Sequence, residues 1–313
     1  MRRRRIIPDD HRPFAAFPVD YIQTRKAAVR AAVHVTAPLT PNAVPLVCLA
    51  GLHRNMSDFA DFVDYFRRLG SGNWPVVLID LPGRGRADDR LKAGDYGSLA
   101  DARDVADILA ALGIGRAIML GQGHGGQVVM ALAAAHPLLV AGTILLDAGP
   151  VVDSRGIVRL RNNLKHIREL KGAKRVAAGL RRMLSGDYPE LSEDALDALA
   201  LRSHIIDKRG KARPLFDERL LEPLETISFD DVLTPQWALF EALNHRPLMI
   251  LRTQLTDQLR RETYEEMVRR RPDAVALTIA GQGSPALFDQ HEEIEAVAGF
   301  IFKTAAKMQS KAA

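Results

Sequence analysis

The sequence predicts an α/β protein: a mostly parallel sheet with helices on both faces and an inserted helical cap. Three observations carry that expectation. Short apolar runs of strand length alternate with segments of helical periodicity, as in a sheet buried on both faces. One of those runs passes through a glycine-dense turn straight into an apolar helix. Residues 153–234 then change texture, losing the apolar runs and gaining Arg, Lys and Leu at helical spacing.

Two antiparallel strands are expected first, near 19–23 and 30–35. Parallel strands follow at 45–49, 75–79, 117–120 and 142–146, and, after the interruption, at 247–251 and 274–279. Between the second and third, residues 99–112 put Ala102, Val105, Ile108, Leu109 and Leu112 on one helical face. A helix at 127–135 follows the glycine turn. The last helix, 290–307, carries Ile294, Val297, Phe300 and Ile301 on its apolar face. Helices at 155–170, 174–184 and 192–203 build the interrupting segment, with turns between them at 186–189 and 208–211. The expected organisation is a core of 14–152 and 235–302, a cap of 153–234, and tails at 1–13 and 303–313, the second fraying. A cap between the fourth and fifth parallel strands lies over the carboxyl edge of the sheet, where ligands bind in open α/β sheets.

Composition narrows the classes. The chain has 313 residues, 47% apolar and 26% charged, enough for a large core. Its net charge of +5 includes four consecutive arginines at 2–5, which read as a solvated tail. Elsewhere the two signs are interspersed and no basic stripe alternates with aromatics, so no nucleic-acid partner is expected. No apolar region follows the arginines and no stretch approaches the ~18 apolar residues of a membrane span. The expectation is a soluble, cytoplasmic protein with no membrane partner. Cys48, the only cysteine, sits in an apolar run and reads as a core hydrophobe, which excludes disulfides. The nine histidines show no metal-binding spacing, so neither metal nor cofactor is expected.

Residues 121–126 read Gly-Gln-Gly-His-Gly-Gly. A nucleophile elbow, G-x-S-x-G, is a strained strand-to-helix turn that lifts a serine hydroxyl above the sheet. Here the frame is Gly121-Gln122-Gly123-His124-Gly125, and Gly123 stands where the serine belongs. The same residues fit G-x-G-x-x-G, the dinucleotide fingerprint, with Asp147 ending the next strand as a ribose contact would. That fingerprint opens the first βαβ unit of its domain, however, and here at least two parallel strands come before it. Other segments side with the elbow: Leu-Ala-Gly-Leu-His-Arg-Asn at 49–55, Ile-Asp-Leu-Pro-Gly-Arg-Gly-Arg at 79–86, His136-Pro137 closing the helix, and Thr256-Asp257-Gln258-Leu259. In order and spacing these resemble the α/β-hydrolase superfamily over roughly 14–302. The closest pattern is that of its capped ester and carbon–carbon bond hydrolases, L-x-G, D-x-x-G-x-G-x-S, G-x-S-x-G-G and S-D-x-L.

The resemblance implies a triad in the chain order nucleophile, acid, histidine. Asp257 matches the acid position. Ser284, in Gly-Gln-Gly-Ser-Pro at 281–285, stands at the histidine position. The backbone N–H groups of Leu52 and His124 fall where the resemblance places the oxyanion donors. Gly123 has no atom to acylate and Ser284 is no general base near neutral pH, so the serine-hydrolase route is closed. Ala87 and Gln254 depart from the family pattern nearby. His124 is the candidate substitute base, acting on water and held by Gln122 or Asp257, although the position also tolerates an inert side chain. His53 and Gln122 are candidate ligand contacts. His291 reads as an exposed helix-terminal residue, and Asp80 and Asp147 as turn-forming or helix-capping acids. Phe59, Phe62, Trp237, Phe240, Leu220, Leu221 and Leu224 belong to the core or the cap–core cleft. The leading expectation is a hydrolase-like protein that binds a small apolar molecule in that cleft without cleaving it. The alternative is a hydrolase or lyase of a small apolar ester or ketone using water activated by His124 or His53. Third comes a dinucleotide-binding oxidoreductase.

Overall fold

The computed structural model describes residues 5–24, 29–40, 44–71 and 73–309. Its strands and helices run β1 (Asp20–Gln23), β2 (Arg30–Val35), β3 (Leu46–Leu49), α1 (Ala60–Phe66), β4 (Val76–Asp80), α2 (Ser98–Ala111), β5 (Ala117–Gln122), α3 (His124–Ala135) and β6 (Val140–Leu146). There follow α4 (Ser154–Glu169), α5 (Ala173–Ser185), α6 (Glu193–Ala200), β7 (His204–Ile206), β8 (Ala212–Pro214), α7 (Trp237–Glu241), β9 (Leu248–Thr253), α8 (Arg261–Arg270), β10 (Val275–Ile279) and α9 (His291–Gln309).

Among the described residues eight strands form one sheet in the order β1-β2-β4-β3-β5-β6-β9-β10. β1 and β2 are antiparallel, and every pair from β4 to β10 is parallel. All residues of β3, β4, β5 and β6 are buried, which is why they read as unbroken apolar runs rather than alternating ones. One face packs Leu78, Leu120 and Ile144 against Phe62 and Phe66 of α1 and Val297 and Ile301 of α9. The other packs Leu49, Met119 and Leu145 against α2 and α3. Each such side chain contributes about 1.5–3 kcal/mol on burial. From β3 the chain crosses to β4 on one side and then to β5 on the other. That reversal opens a crevice at the carboxyl ends of β3 and β5.

Residues between β6 and β9 pack an apolar cluster of their own, with Val176, Leu180 and Leu184 of α5 against Leu196 and Leu199 of α6. A second cluster, Leu164, Phe216, Leu220 and Leu221, meets Leu52 and Tyr96 of the core.

Three expectations change. The 208–211 turn joins two strands, β7 and β8, and not helices. Three residues each are too short to leave a periodic signal, and the turn is held by Asp207, which accepts from the N–H groups of Arg209 and Lys211. The final helix stays wound to Gln309, past the point where fraying was expected, because Ile301, Thr304 and Ala305 remain buried. Arg5 is not solvated. Its guanidinium donates to the carbonyls of Gly85 and Ala87 and pairs with Asp89, while Arg2, Arg3 and Arg4 lie outside the described residues.

Candidate functional site

A single residue, Gly123, separates β5 from α3, at φ 51° and ψ −115°. The glycines around it are there for close packing. A Cβ on Gly121 would lie 2.6 Å from Gly126 Cα, one on Gly125 2.2 Å from the Leu49 carbonyl oxygen, and one on Gly126 2.3 Å from Ala148 Cβ. Only glycine lets the helix cross the strands so closely. Gly123 is different. Its left-handed backbone is strained for any L side chain, but the one close neighbour of a Cβ there is Gln258 Oε1, at 2.4 Å. The carboxamide of Gln258 thus fills the space into which a nucleophile's side chain would project.

Ser284 meets two groups. Its hydroxyl accepts from Gln122 Nε2 at 3.4 Å and donates to the Asp147 carboxylate. Asp147 (φ 48°) also accepts from the N–H and the hydroxyl of Thr253, both at 2.7 Å. Burial pushes its pKa up to about 6 against the downward pull of these bonds. Of the two roles expected for it, turn-forming or helix-capping, the second is corrected: among the described residues Asp147 caps no helix, but ties the end of β6 to β9 and to position 284. With its carboxylate engaged this way, it offers no support to the dinucleotide reading.

Asp257 lines the same cavity but turns to the cap, where Arg159 Nε lies 2.5 Å from Oδ2. The same guanidinium reaches Asp187 at 3.0 Å. Helix α4 presses on this loop so closely that a Cβ on Gly156 would lie 2.5 Å from the Asp257 carbonyl oxygen. Among the described residues Asp257 makes no bond to Ser284.

The expected partners of His124 also change. Neither Gln122 nor Asp257 holds it. Its Nε2 lies 2.8 Å from Oδ2 of Asp101, on α2. Asp101 is fully buried and also faces Arg84 at 3.0 Å and Arg90 at 2.6 Å. Burial alone would raise its pKa, but Arg84 first, then His124 and Arg90, outweigh it and hold the carboxyl well below the usual range. Gln122, buried, serves Ser284 instead. His53 stands edge-on to Phe216 at 5.5 Å between ring centres. Burial, helped by Arg54, His204 and Arg84, pushes its pKa far down, so it is neutral at neutral pH. Leu52 and His124 both line the cavity. The Leu52 carbonyl accepts from Arg84 Nε at 2.9 Å, which fixes that peptide, and His124 opens α3, where N–H groups have no intrahelical acceptor.

Other readings need little change. Asp80 accepts from the N–H groups of Met56 and Arg86 at a turn, with burial raising its pKa to about 6. Cys48 is buried, Phe59, Phe62 and Phe240 are core, and Trp237 lies under Arg270. His291 pairs with Glu295 on the exposed face of α9. Gln254 accepts from the Gly281 N–H, and Ala87 is buried.

Gly123, Gln258, Ser284, Gln122, Asp147 and Asp257 help to line a cavity of about 310 Å³ between sheet edge and cap. Its walls include Val152, Ile157, Leu160, Met183, Leu224 and Leu233. Among the described residues no group of three His, Cys, Asp or Glu side chains is placed to hold a metal, and no helix is long and apolar enough to cross a membrane. Sequence reasoning missed Asp101, Arg159 and Gln258. Only Gln258 carried a signal, standing beside Asp257 in a motif already singled out.

Comparison with known proteins bears on this site. A family profile described as "Alpha/beta hydrolase family" matches residues 46–297. A 2-hydroxy-6-oxononadienedioate/2-hydroxy-6-oxononatrienedioate hydrolase of Burkholderia vietnamiensis is 34% identical over 100 residues, 32% of this chain and 31% of that protein. The chain thus matches about a third of the length of this relative. A 3-hydroxybutyrate-oligomer hydrolase of Cupriavidus necator is 26% identical over 259 residues, covering 78% of this chain and 83% of its own. Among solved structures, an alpha/beta hydrolase from Novosphingobium aromaticivorans superposes with a TM-score of 0.77 at 27% identity, covering 91% of this chain and 98% of that one.

Proposed function

The chain belongs to the alpha/beta hydrolase family, and from that premise we propose that it uses the capped pocket to bind a small apolar molecule without cleaving it through an acyl-serine. The observation that carries this reading is the Gln258 carboxamide occupying the nucleophile's place above Gly123. An absent nucleophile alone marks a disabled enzyme. A side chain settled into the gap, with the base position given to a serine bonded to Gln122 and Asp147, marks a site rebuilt for another use. Loss of any triad member already costs several orders of magnitude in rate. The test is turnover of p-nitrophenyl butyrate by the purified chain beside a heat-denatured control. The proposal expects no difference; turnover that disappears in Ser284→Ala would overturn it.

A second reading rests on the 2.8 Å contact between His124 and Asp101. With Nε2 anchored on a buried carboxylate, Nδ1 is left to take a proton from water at the cavity, with the Leu52 and His124 N–H groups facing the developing oxyanion. Water would then attack a bound ester or ketone directly. This reading requires ester or ketone turnover in the wild type that falls at least a hundredfold in His124→Ala and is untouched by Ser284→Ala.

A further inference from the structure

The charges around the cavity restrict what can enter it. Among the described residues two guanidinium groups line it, and both are already committed. Arg54 faces Asp58 through two bonds, at 2.7 and 2.5 Å. Arg159 is shared between Asp187 and Asp257. Of the four lining carboxylates, Asp153 is answered from outside by Arg260 and Arg155. That leaves two carboxylates on the one Arg159, and Asp147 bonded only to neutral groups. The lining histidines add no free cation, since His124 is held by Asp101 and His53 is neutral.

The floor, by contrast, is built of uncharged hydrogen-bonding groups that meet in the space of the missing triad: the carboxamides of Gln122 and Gln258 and the hydroxyl of Ser284. Above them the cap supplies Ile157, Leu160 and Met183. Such a lining matches an apolar body ending in an uncharged group that accepts from a carboxamide N–H, whether or not it also donates. A carboxylate would have to shed its water in a low-dielectric cleft facing carboxylates, with no free guanidinium to meet it.

We infer that the pocket takes an uncharged amphiphile, an apolar body with an amide, ester, ketone or hydroxyl head seated on Gln122, Gln258 and Ser284, and that it rejects carboxylates. This rests on the binding reading above and adds the chemistry of the ligand's head. It also separates the chain from its Burkholderia relative, whose name specifies a dioate.

The test is calorimetric titration of the full chain, near neutral pH, with a panel of aryl- and alkyl-carboxylic acids, each beside its own methyl ester and primary amide. In each pair that binds, the neutral form is expected to bind at least tenfold more tightly than the acid. Asp187→Asn and Asp257→Asn, which each take one carboxylate from Arg159, should narrow that gap at least threefold. An acid that binds as well as its amide overturns the inference while leaving the binding reading intact. A panel in which nothing binds overturns both. The wild-type comparison decides the matter even where a variant does not fold.

Discussion

Asp147 and Asp257 follow neighbouring strands, β6 and β9, and line one cavity, yet they do different work. Asp147 is buried, tied to Thr253, and is the carboxylate that touches position 284. Asp257 is partly exposed, makes no bond to Ser284 among the described residues, and reaches out to Arg159 of the cap. Order along the chain assigns the family's acid to Asp257; distance assigns the contact with residue 284 to Asp147. Because β6 and β9 are adjacent, a carboxylate can reach that position from either strand. Motif order alone does not choose between them.

The largest expected effect comes from rebuilding the triad. Gly123→Ser with Ser284→His leaves the new serine side chain against Gln258 Oε1, so the pair should gain esterase activity only weakly, and adding Gln258→Ala should raise it at least tenfold. In that triple variant, Asp147→Asn should lower kcat on p-nitrophenyl butyrate about a hundredfold or more, since a triad acid fixes the histidine tautomer. Asp257→Asn should lower it less than threefold. The opposite ranking would restore Asp257 as the acid and break the comparison.

Stability separates the two next. The folded pKa of Asp147, about 6, lies above its ordinary 3.8. Below both values the acid is protonated folded or unfolded and favours neither. As pH rises from about 4 to about 6 the unfolded chain releases the proton first, so the folded state loses stability, by an amount on the order of 3 kcal/mol at most. Asp80 is raised to about the same value by burial and Glu293 to about 7, so both add to the same trend. Urea unfolding at pH 4 and pH 7 should therefore show Asp147→Asn gaining on the wild type as pH rises, while Asp147→Ala is destabilised throughout because the Thr253 N–H and hydroxyl lose their buried acceptor.

The smallest effect belongs to Asp257. Its ion pair with Arg159 is partly exposed, and Asp257→Asn should change the unfolding free energy by less than about 1 kcal/mol. Amide exchange in α4 should nevertheless quicken, because Arg159 joins that helix to the loop after β9. Unchanged exchange would mean that the contact with Gly156 holds the cap without the ion pair.

How much was legible follows from the same contrast. β3 to β6 were readable because burial on both faces makes every residue apolar, a signal written within one short segment. The cap helices were readable from their period, and β7 and β8 were not, at three residues each. Gly123 was readable as a missing nucleophile because its frame is local. That it differs in kind from Gly121, Gly125 and Gly126 was not, since the difference lies in what a Cβ would meet: backbone and Ala148 for those three, the end of Gln258 for Gly123. The partners of Asp147, His124 and Asp257 lie on other elements, at Thr253, Asp101 and Arg159. Composition and spacing carry no trace of such pairings.

The central claim is that the elbow survives without its chemistry. It is tested most directly by incubating the wild type and the Gly123→Ser, Ser284→His, Gln258→Ala variant with an alkyl fluorophosphonate and weighing the intact proteins. The account predicts an unmodified wild type and a single phosphonyl adduct on residue 123 of the variant. A stoichiometric adduct on Ser284 of the wild type would contradict it.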